Sequence, residues 1–589
     1  MSAPLRQLET GFDKQKVRCD DSSKARQKRY RSELEGDALA THLVNLEALI
    51  QREDFETTGD IADSTPTAFK AEELLQNRNY FKGLRKPDFQ RETHNWSPEM
   101  IVDFVRSFLD GDLIPALILW NSKKTGKVFV IDGCHRVSAL IAWVNDDYGD
   151  GEISNSFYSY NITPLQKRLH KKTQELINAQ IGSFKRLMAV NQNPELRLND
   201  DELRRSRILF KRAPDIQEVD GPASVAEKSF LKINGNPAPI DATELDVIKA
   251  RAKPNAIATR ALLRAGTGYP YWGKLRRASE IEELAKSNYR LLFGQILEID
   301  PKLSDVPRAG SPYSRQAFEM LLDIVNFFNN ISPSQWRQSE RPKKPKSGSP
   351  PLLEDDDADG SKTIAFLENI KRVAMLSFGG PEYQCSLGLD PAVYCYGETG
   401  KFHSVAFIAC LKFSQELEQE NKLFRFTEVR RKFEDFLVGH NFFINQLGHG
   451  KGSRTRPLEA LLALHRTVFS SLSDGITEEK EILQRILGSP GLEQLNINPS
   501  LPSSMQTKRK RFSKSVEAAA LVKQVLETRA RCPICKATLA PPFRSKDHKT
   551  RVEDGGKGNL DNLEFTHPYC QSGYKEKMHS AEAKDADAI

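Results

Sequence analysis

Apolar positions in this chain follow two rhythms, and each predicts a different element. A spacing of three and four residues runs through SPEMIVDFVRSFLDG from Ser97, with Ser97 suited to the N-cap and Pro98 to the first helical position. Two β-like runs follow, ALILW over 116–120 and KVFVI over 127–131. The turn DGCHR at 132–136 then leads into a second apolar helix, VSALIAWV. Helical spacing returns in NITPLQKRLHKKTQELINAQ and in ASEIEELAKSNYRLLFGQILEI. It returns again near the C-terminus in SVEAAALVKQVLETRA.

The pattern divides the chain and gives a multidomain α+β fold class. A polar N-terminal arm covers 1–60, with one helix expected over ALATHLVNLEALIQRE, and a small α/β domain covers 61–155. A helical region spans 156–336, a disordered linker 337–362, and a helical domain 363–487. A basic linker, 488–513, ends in KRKR and precedes a compact module at 514–580 and a tail at 581–589. A length of 589 residues fits three or four domains. No internal repeat is visible.

Composition narrows the class of function. Hydrophobic residues make up 39% and charged residues 28%, as in folded water-soluble domains. No apolar run reaches the roughly 20 residues of a membrane span, and MSAPLRQLETGFDKQKVRCDD lacks the apolar centre of a secretory signal. A cytoplasmic protein with no membrane partner is therefore expected. The net charge of +7 is unevenly placed: Thr507 to Lys577 holds 16 Lys/Arg against 8 Asp/Glu, a net of +8, which leaves about −1 for the rest. A basic C-terminal module suits a phosphate backbone, although a solvated basic tail would have the same composition.

Three of the eight cysteines cluster in that module. Cys532 and Cys535 form a CxxC knuckle, and His567 with Cys570 an HxxC pair, with 31 residues (536–566) between them. Thiolate and imidazole donors at this spacing suit a tetrahedral, structural Zn²⁺. Pro568 fits a first helical position, which sets His567 at an N-cap and Cys570 on the first turn. Taken alone, this set is equally that of a zinc ribbon that only grips DNA or protein.

Between the knuckles lie Asp547-His548 at the end of an expected strand, Gly555-Gly556 at a loop tip, and Asn562-Leu563. The order CxxC, DH, GG, NL, knuckle and helix resembles the HNH, or ββα-metal, nuclease family, which includes the HNH domain of the CRISPR RNA-guided nuclease. The resemblance covers about 45 residues. It implies His548 as general base toward water, Asp547 as ligand of one catalytic Mg²⁺ or Mn²⁺, and Asn562 as the residue that ties the loop and orients His548. The family's last metal ligand, a His or Asn, falls at Gln571 here. That departure bears on metal affinity and rate more than on fold, and it leaves room for a module that has lost cleavage.

A second constellation lies near the N-terminus: PDFQRETHNW over 87–96, then DGCHR over 132–136. A strand, a glycine turn and a helix leave backbone N–H groups free to face an anion. Gly133 would allow close approach, with Asp132, His135, Arg136, Gln90 and Arg91 around it. The set resembles the ParB/sulfiredoxin-like superfamily and the N-terminal NTPase domain of type IV, modification-dependent restriction enzymes. Those enzymes also join such a domain to an HNH nuclease. Relative to that family the Gln-Arg to Trp spacing is one residue longer, and His94 replaces an aromatic. A nucleotide site, a direct DNA-phosphate site and a plain βα turn all remain open here. Cys134 is expected to be a small packing residue rather than a nucleophile.

Weaker signals have plainer readings. GHGKGSRTR (448–456) lacks Walker A spacing and reads as a surface loop. TGYPYWGK (267–274) reads as core packing, and His403 and His440 as hydrogen-bonded histidines.

The expected function is a DNA endonuclease of restriction or antiphage defence, controlled by the N-terminal domain and reaching DNA from the tether at 488–513. The alternatives are a nucleotide-gated DNA clamp without cleavage and an NTPase with a subordinate nuclease. Double-strand cutting would take two HNH domains, hence a homodimer or sequential nicks.

Overall fold

The computed structural model describes residues 43–55, 60–63, 69–90, 93, 96–158, 160, 162, 164–189, 198–233, 247–248, 250–266, 270–294, 315–331, 355–448, 455–493, 495–498 and 512–578. They belong to two compact units, one of residues 1–87 and 92–230, the other of 88–91 and 231–589.

The first unit is built on a five-stranded mixed sheet. Its strands are β1 (Arg52–Glu53), β2 (Leu84–Pro87), β3 (Leu117–Asn121), β4 (Val128–Asp132) and β5 (Ile216–Glu218), in the order β1-β2-β4-β3-β5. Only β3 and β4 pair antiparallel. Helix α1 (Pro98–Asp110) starts where expected: Ser97 accepts from the Met100 N–H at 3.3 Å and Pro98 follows. It ends at Gly111, whose φ of +88° is a left-handed cap. Ile101, Val105 and Phe108 from α1 meet Val137, Leu140 and Ile141 from α2 (Cys134–Asn145) over Leu119 and Val130 of the sheet. Each such side chain contributes about 1.5–3 kcal/mol on burial.

Two expectations change here. The stretch 43–53 is neither part of a solvated arm nor a helix: a short 3₁₀ turn, Glu47–Leu49, leads into β1, and Val44, Leu46, Leu49 and Ile50 are buried. Parallel pairing of Arg52 with Lys86 overrides the local helical spacing. The core also extends past 155: α3 (Pro164–Gln180) buries Leu169 and Ile177 in it, and β5 adds a strand inside the region expected to be helical.

The second unit is mainly helical. Its principal helices are α4 (Pro254–Leu263), α5 (Ala278–Phe293), α6 (Arg315–Phe328), α7 (Ser361–Phe378), α8 (Ser404–Gln419), α9 (Leu423–Gly439), α10 (Thr455–Ser473) and α11 (Lys514–Thr528). Four short strands follow: β6 (Ala530–Arg531), β7 (Thr538–Leu539), β8 (Ser545–His548) and β9 (Leu563–Thr566). A single apolar core joins Leu367, Phe378, Phe407, Phe413 and Phe433 of the helices to Val522, Val525, Ala540, Phe543 and Tyr569 of the C-terminal module.

That shared core alters the expected tether. Leu492 and Leu495, within the expected linker, are buried, and the C-terminal module is packed against the helices rather than held at a distance from them. The KRKR run and most of 337–362 lie outside the described residues; at the end of the latter, Asp357 caps α7 by accepting from the Gly360 and Thr363 N–H groups. Trp272 is buried in the core and Tyr271 stacks on Arg260, whose guanidinium carbon lies 4.1 Å from the ring centroid. Of 448–456, only Gly448, Thr455 and Arg456 are described. His403 bonds Asn445 at 2.9 Å, and His440 bonds the Phe436 carbonyl at 3.0 Å.

Candidate functional site

The knuckle between β6 and β7 closes through local bonds: Lys536 N donates to Cys532 O at 2.9 Å and Cys532 N to Ala537 O at 3.0 Å, with Lys536 at φ +61°. This turn points Cys532 and Cys535 inward toward His567 and Cys570. One donor atom from each of the four buried residues lies within 4.8 Å of the others. His567 Nδ1 faces the thiols, 3.4 Å from Cys535 Sγ and 3.7 Å from Cys570 Sγ, while Nε2 meets the Thr538 carbonyl at 2.9 Å. Tetrahedral Zn–S bonds of about 2.3 Å put sulfurs about 3.8 Å apart. The donor set therefore fits Zn²⁺, and the Nε2 bond to a carbonyl is the usual support for a ligating imidazole. Hydrogen bonds from Cys535, then Cys570, push the Cys532 thiol far below its ordinary range.

A buried ion pair from α9 underlies the knuckle. Arg430 Nε lies 2.8 Å from Glu434 Oε1, and both side chains are almost wholly enclosed. Glu434 Oε2 accepts the Thr538 N–H at 2.8 Å, and Arg430 donates to the Leu387 carbonyl at 2.6 Å. Neither residue was singled out from sequence: they lie more than a hundred positions before Thr538, and no local spacing marks them.

Beyond the knuckle, β8 and β9 form an antiparallel pair with Asp547 opposite Glu564 and His548 opposite Leu563. Strand alternation turns Asp547 inward, 7% exposed, and leaves His548 half-buried on the other face. Asp547 Oδ1 accepts from the His548 N–H at 2.8 Å. Its Oδ2 accepts from Lys575 Nζ at 2.9 Å, and the same ammonium reaches the His548 carbonyl at 3.0 Å. Both carboxylate oxygens of Asp547 thus have protein partners.

Asn562 binds loop backbone. Its Oδ1 accepts the Thr550 N–H at 2.7 Å, and its Nδ2 donates to the Thr550 and Lys557 carbonyls at 3.0 Å each. These bonds join both sides of the loop between His548 and Asn562. The side-chain bonds of Asn562 go to Thr550 and Lys557 rather than to His548, and its carbonyl accepts the N–H of Lys549, the residue after His548, at 2.9 Å. Gln571 is engaged by β8: its Oε1 accepts from Ser545 Oγ, and its Nε2 donates to Lys546 O at 3.0 Å. Residues Cys570–Lys575 wind as a π-helix, a wider turn that often marks functional sites. Lys575 was missed in the sequence; its signal was an i+4 spacing from Gln571 on the segment after the knuckle.

In the first unit, Gly133 is the N-cap of α2 at φ +95°, and a Cβ there would lie 2.5 Å from Leu117 Cδ2. The positive φ favours glycine, and any side chain there would also make the Leu117 methyl shift. Arg136 folds back on the turn, pairing with Asp132 Oδ2 at 2.7 Å and donating to the Pro115 and Ala116 carbonyls. His135 stacks on Trp96, ring centroids 5.8 Å apart. Burial pushes the Cys134 thiol up to about 12, in keeping with a packing role. A further buried cluster surrounds Glu47, which holds Arg52 and Lys86 at 2.7 Å each and accepts the Thr93 N–H at 2.8 Å. Gln90 is buried, in the segment where Asp88 pairs with Arg251 at 3.1 Å, and Arg91 lies outside the described residues.

The strand, turn and helix of this site lie in a stretch that is similar to a known domain. Residues 71–251 match the model described as GmrSD restriction endonuclease, N-terminal domain. The match spans under a third of the chain and includes Gln90, Arg91 and the 132–136 turn. It supports a restriction-type N-terminal domain and, with it, a nuclease class of enzyme. No curated protein and no solved structure matches the chain. Among the described residues, no helix is long and apolar enough to cross a membrane.

Proposed function

We propose that this chain is a metal-dependent DNA endonuclease of the HNH type, acting in restriction or antiphage defence. The observation that carries the reading is the pairing of buried Asp547 with half-buried His548 on a strand fixed beside a Cys3His cluster. His548 takes a proton from the attacking water, and the new P–O bond forms as the bond to the leaving 3′-oxygen breaks. A divalent Mg²⁺ or Mn²⁺ held at Asp547 supplies charge neutralisation at the phosphate. Asn562 keeps the loop after His548 in place through its three bonds to Thr550 and Lys557. Zn²⁺ in the Cys3His set is structural.

The ParB-like reading of the N-terminal domain, as a nucleotide or DNA sensor, is supported by the left-handed Gly133 cap and by the match over 71–251. Arg136 is already held by Asp132, so an anion there would draw first on backbone N–H groups of α2. The commitment of Gln571 to Ser545 and Lys546 favours a second reading, a DNA-gripping module without cleavage.

Plasmid nicking with Mg²⁺ or Mn²⁺, with and without added NTP, tests both. Metal-dependent nicking by the parent, lost in His548→Ala, supports the endonuclease. Tight DNA binding with no nicking on plain or modified DNA supports the second reading. NTP-stimulated nicking, or phosphate release lost in Arg136→Ala, assigns the N-terminal domain a nucleotide.

A further inference from the structure

The Lys575 ammonium sits against the carboxylate on which the nuclease reading depends. Nζ lies 2.9 Å from Asp547 Oδ2 and 3.0 Å from the His548 carbonyl, and the lysine side chain is 21% exposed. The other carboxylate oxygen is taken by the His548 N–H. Gln571, at the position expected to share a metal with Asp547, is bonded through both ends of its amide to β8. Both expected ligands of a catalytic metal therefore have protein partners already.

We propose that Lys575 is the resident counter-cation of Asp547, and that a divalent metal binds there by displacing it. This rests on the nuclease reading above. Three physical points carry it. A divalent ion bonds a carboxylate oxygen at about 2.0–2.1 Å, so an ammonium on the same oxygen would face it at a few ångströms, with strong like-charge repulsion. The lysine has a flexible four-carbon stem and a partly exposed side chain, so it can swing out. The ammonium it removes would remain next to the site, where a DNA phosphate is its natural acceptor. Phosphate and metal then bind cooperatively, each helping the other by moving the same lysine. Without Lys575, Asp547 would be a nearly buried carboxylate lacking its counter-cation, so the lysine also keeps the strand end stable before metal arrives.

The test is Mn²⁺ binding to the zinc-loaded full chain without DNA, read from the free-ion electron paramagnetic resonance signal. It compares the parent with Lys575→Met, Lys575→Gln, and each combined with Asp547→Asn. Both lysine variants are expected to bind Mn²⁺ about tenfold more tightly than the parent, since a charge-assisted bond no longer has to be broken. Asp547→Asn is expected to remove that binding in every background. Zinc content and thermal midpoint verify that each variant is folded. An Asp547-dependent site with unchanged affinity in both lysine variants overturns the proposal and leaves the nuclease reading standing. Absence of any Asp547-dependent Mn²⁺ site overturns both.

Discussion

The Glu434 carboxylate of α9 accepts the backbone N–H of Thr538 at 2.8 Å, while the Thr538 carbonyl meets Nε2 of His567 at 2.9 Å. One residue of β7 thus connects the helices to the Cys3His cluster. Arg430 completes the connection, bonded to Glu434 and to the carbonyls of Leu387 and Gly388. The C-terminal module and the helical body should therefore respond together to changes on either side.

Glu434→Ala leaves Arg430 buried without its counter-charge and the Thr538 N–H without its acceptor. A loss of about 3–5 kcal/mol is expected for a broken buried pair. Chemical denaturation of the parent and variant measures it. A loss under about 1 kcal/mol would mean the pair is not coupled to the module.

Removing zinc should destabilise more than the knuckle. Structural Zn²⁺ contributes roughly 10–16 kcal/mol in small peptide sites. Here Phe543 and Tyr569 share a core with Phe378 and Phe407. Hydrogen exchange after chelation is expected to speed up in α9 and α11 as well as in β6 and β7. Exchange confined to residues 530–570 would show that the module unfolds alone.

Gly133→Ala should destabilise the first unit by about 1–3 kcal/mol, because a side chain there is strained at positive φ and meets Leu117. The thermal midpoint of that unit is the readout, and an unchanged midpoint would refute the reading of the cap.

Stability should fall on mild acidification through His465. Burial among Tyr394, Phe413 and Phe433 pushes its imidazole down to about 4. In the unfolded chain it protonates near pH 6.5, so stability is lost as pH drops from about 6.5 to about 4 and levels off below that. The expected loss is up to roughly 3 kcal/mol, at 1.36 kcal/mol per unit. Between pH 7 and pH 4.5 the urea midpoint of the parent should fall by more than that of His465→Leu. An equal fall in both would remove His465 from the acid response.

Asn562→Ala should loosen one loop without unfolding the module. It removes the side-chain bonds to Thr550 and Lys557. Exchange at 549–560 is expected to accelerate, and nicking to drop, while the global midpoint moves little. Equal exchange in both proteins would show that the glycine tip alone holds the loop.

The sequence by itself determined what depends on neighbours along the chain. Ser97 and Pro98 specify the start of α1, the apolar alternation specifies β3 and β4 to within a residue, and the knuckle spacing specifies the Cys3His set. Asp547 and His548 were legible because a strand's two-residue period places them on opposite faces. Tertiary structure decided what depends on partners far away. Residues 44–53 carry a helical apolar spacing, yet β pairing with Leu84–Pro87 and ion pairs from Glu47 to Arg52 and Lys86 give better satisfaction of buried polar groups. Leu492 and Leu495 read as part of a polar linker but bury apolar area only in the assembled core. Lys575 and Arg430 are ordinary surface-type residues in the sequence. Their partners, Asp547 and Glu434, come near them through a widened helical turn and the buried face of α9, and the long reach of a charge in a low-dielectric interior makes those meetings matter.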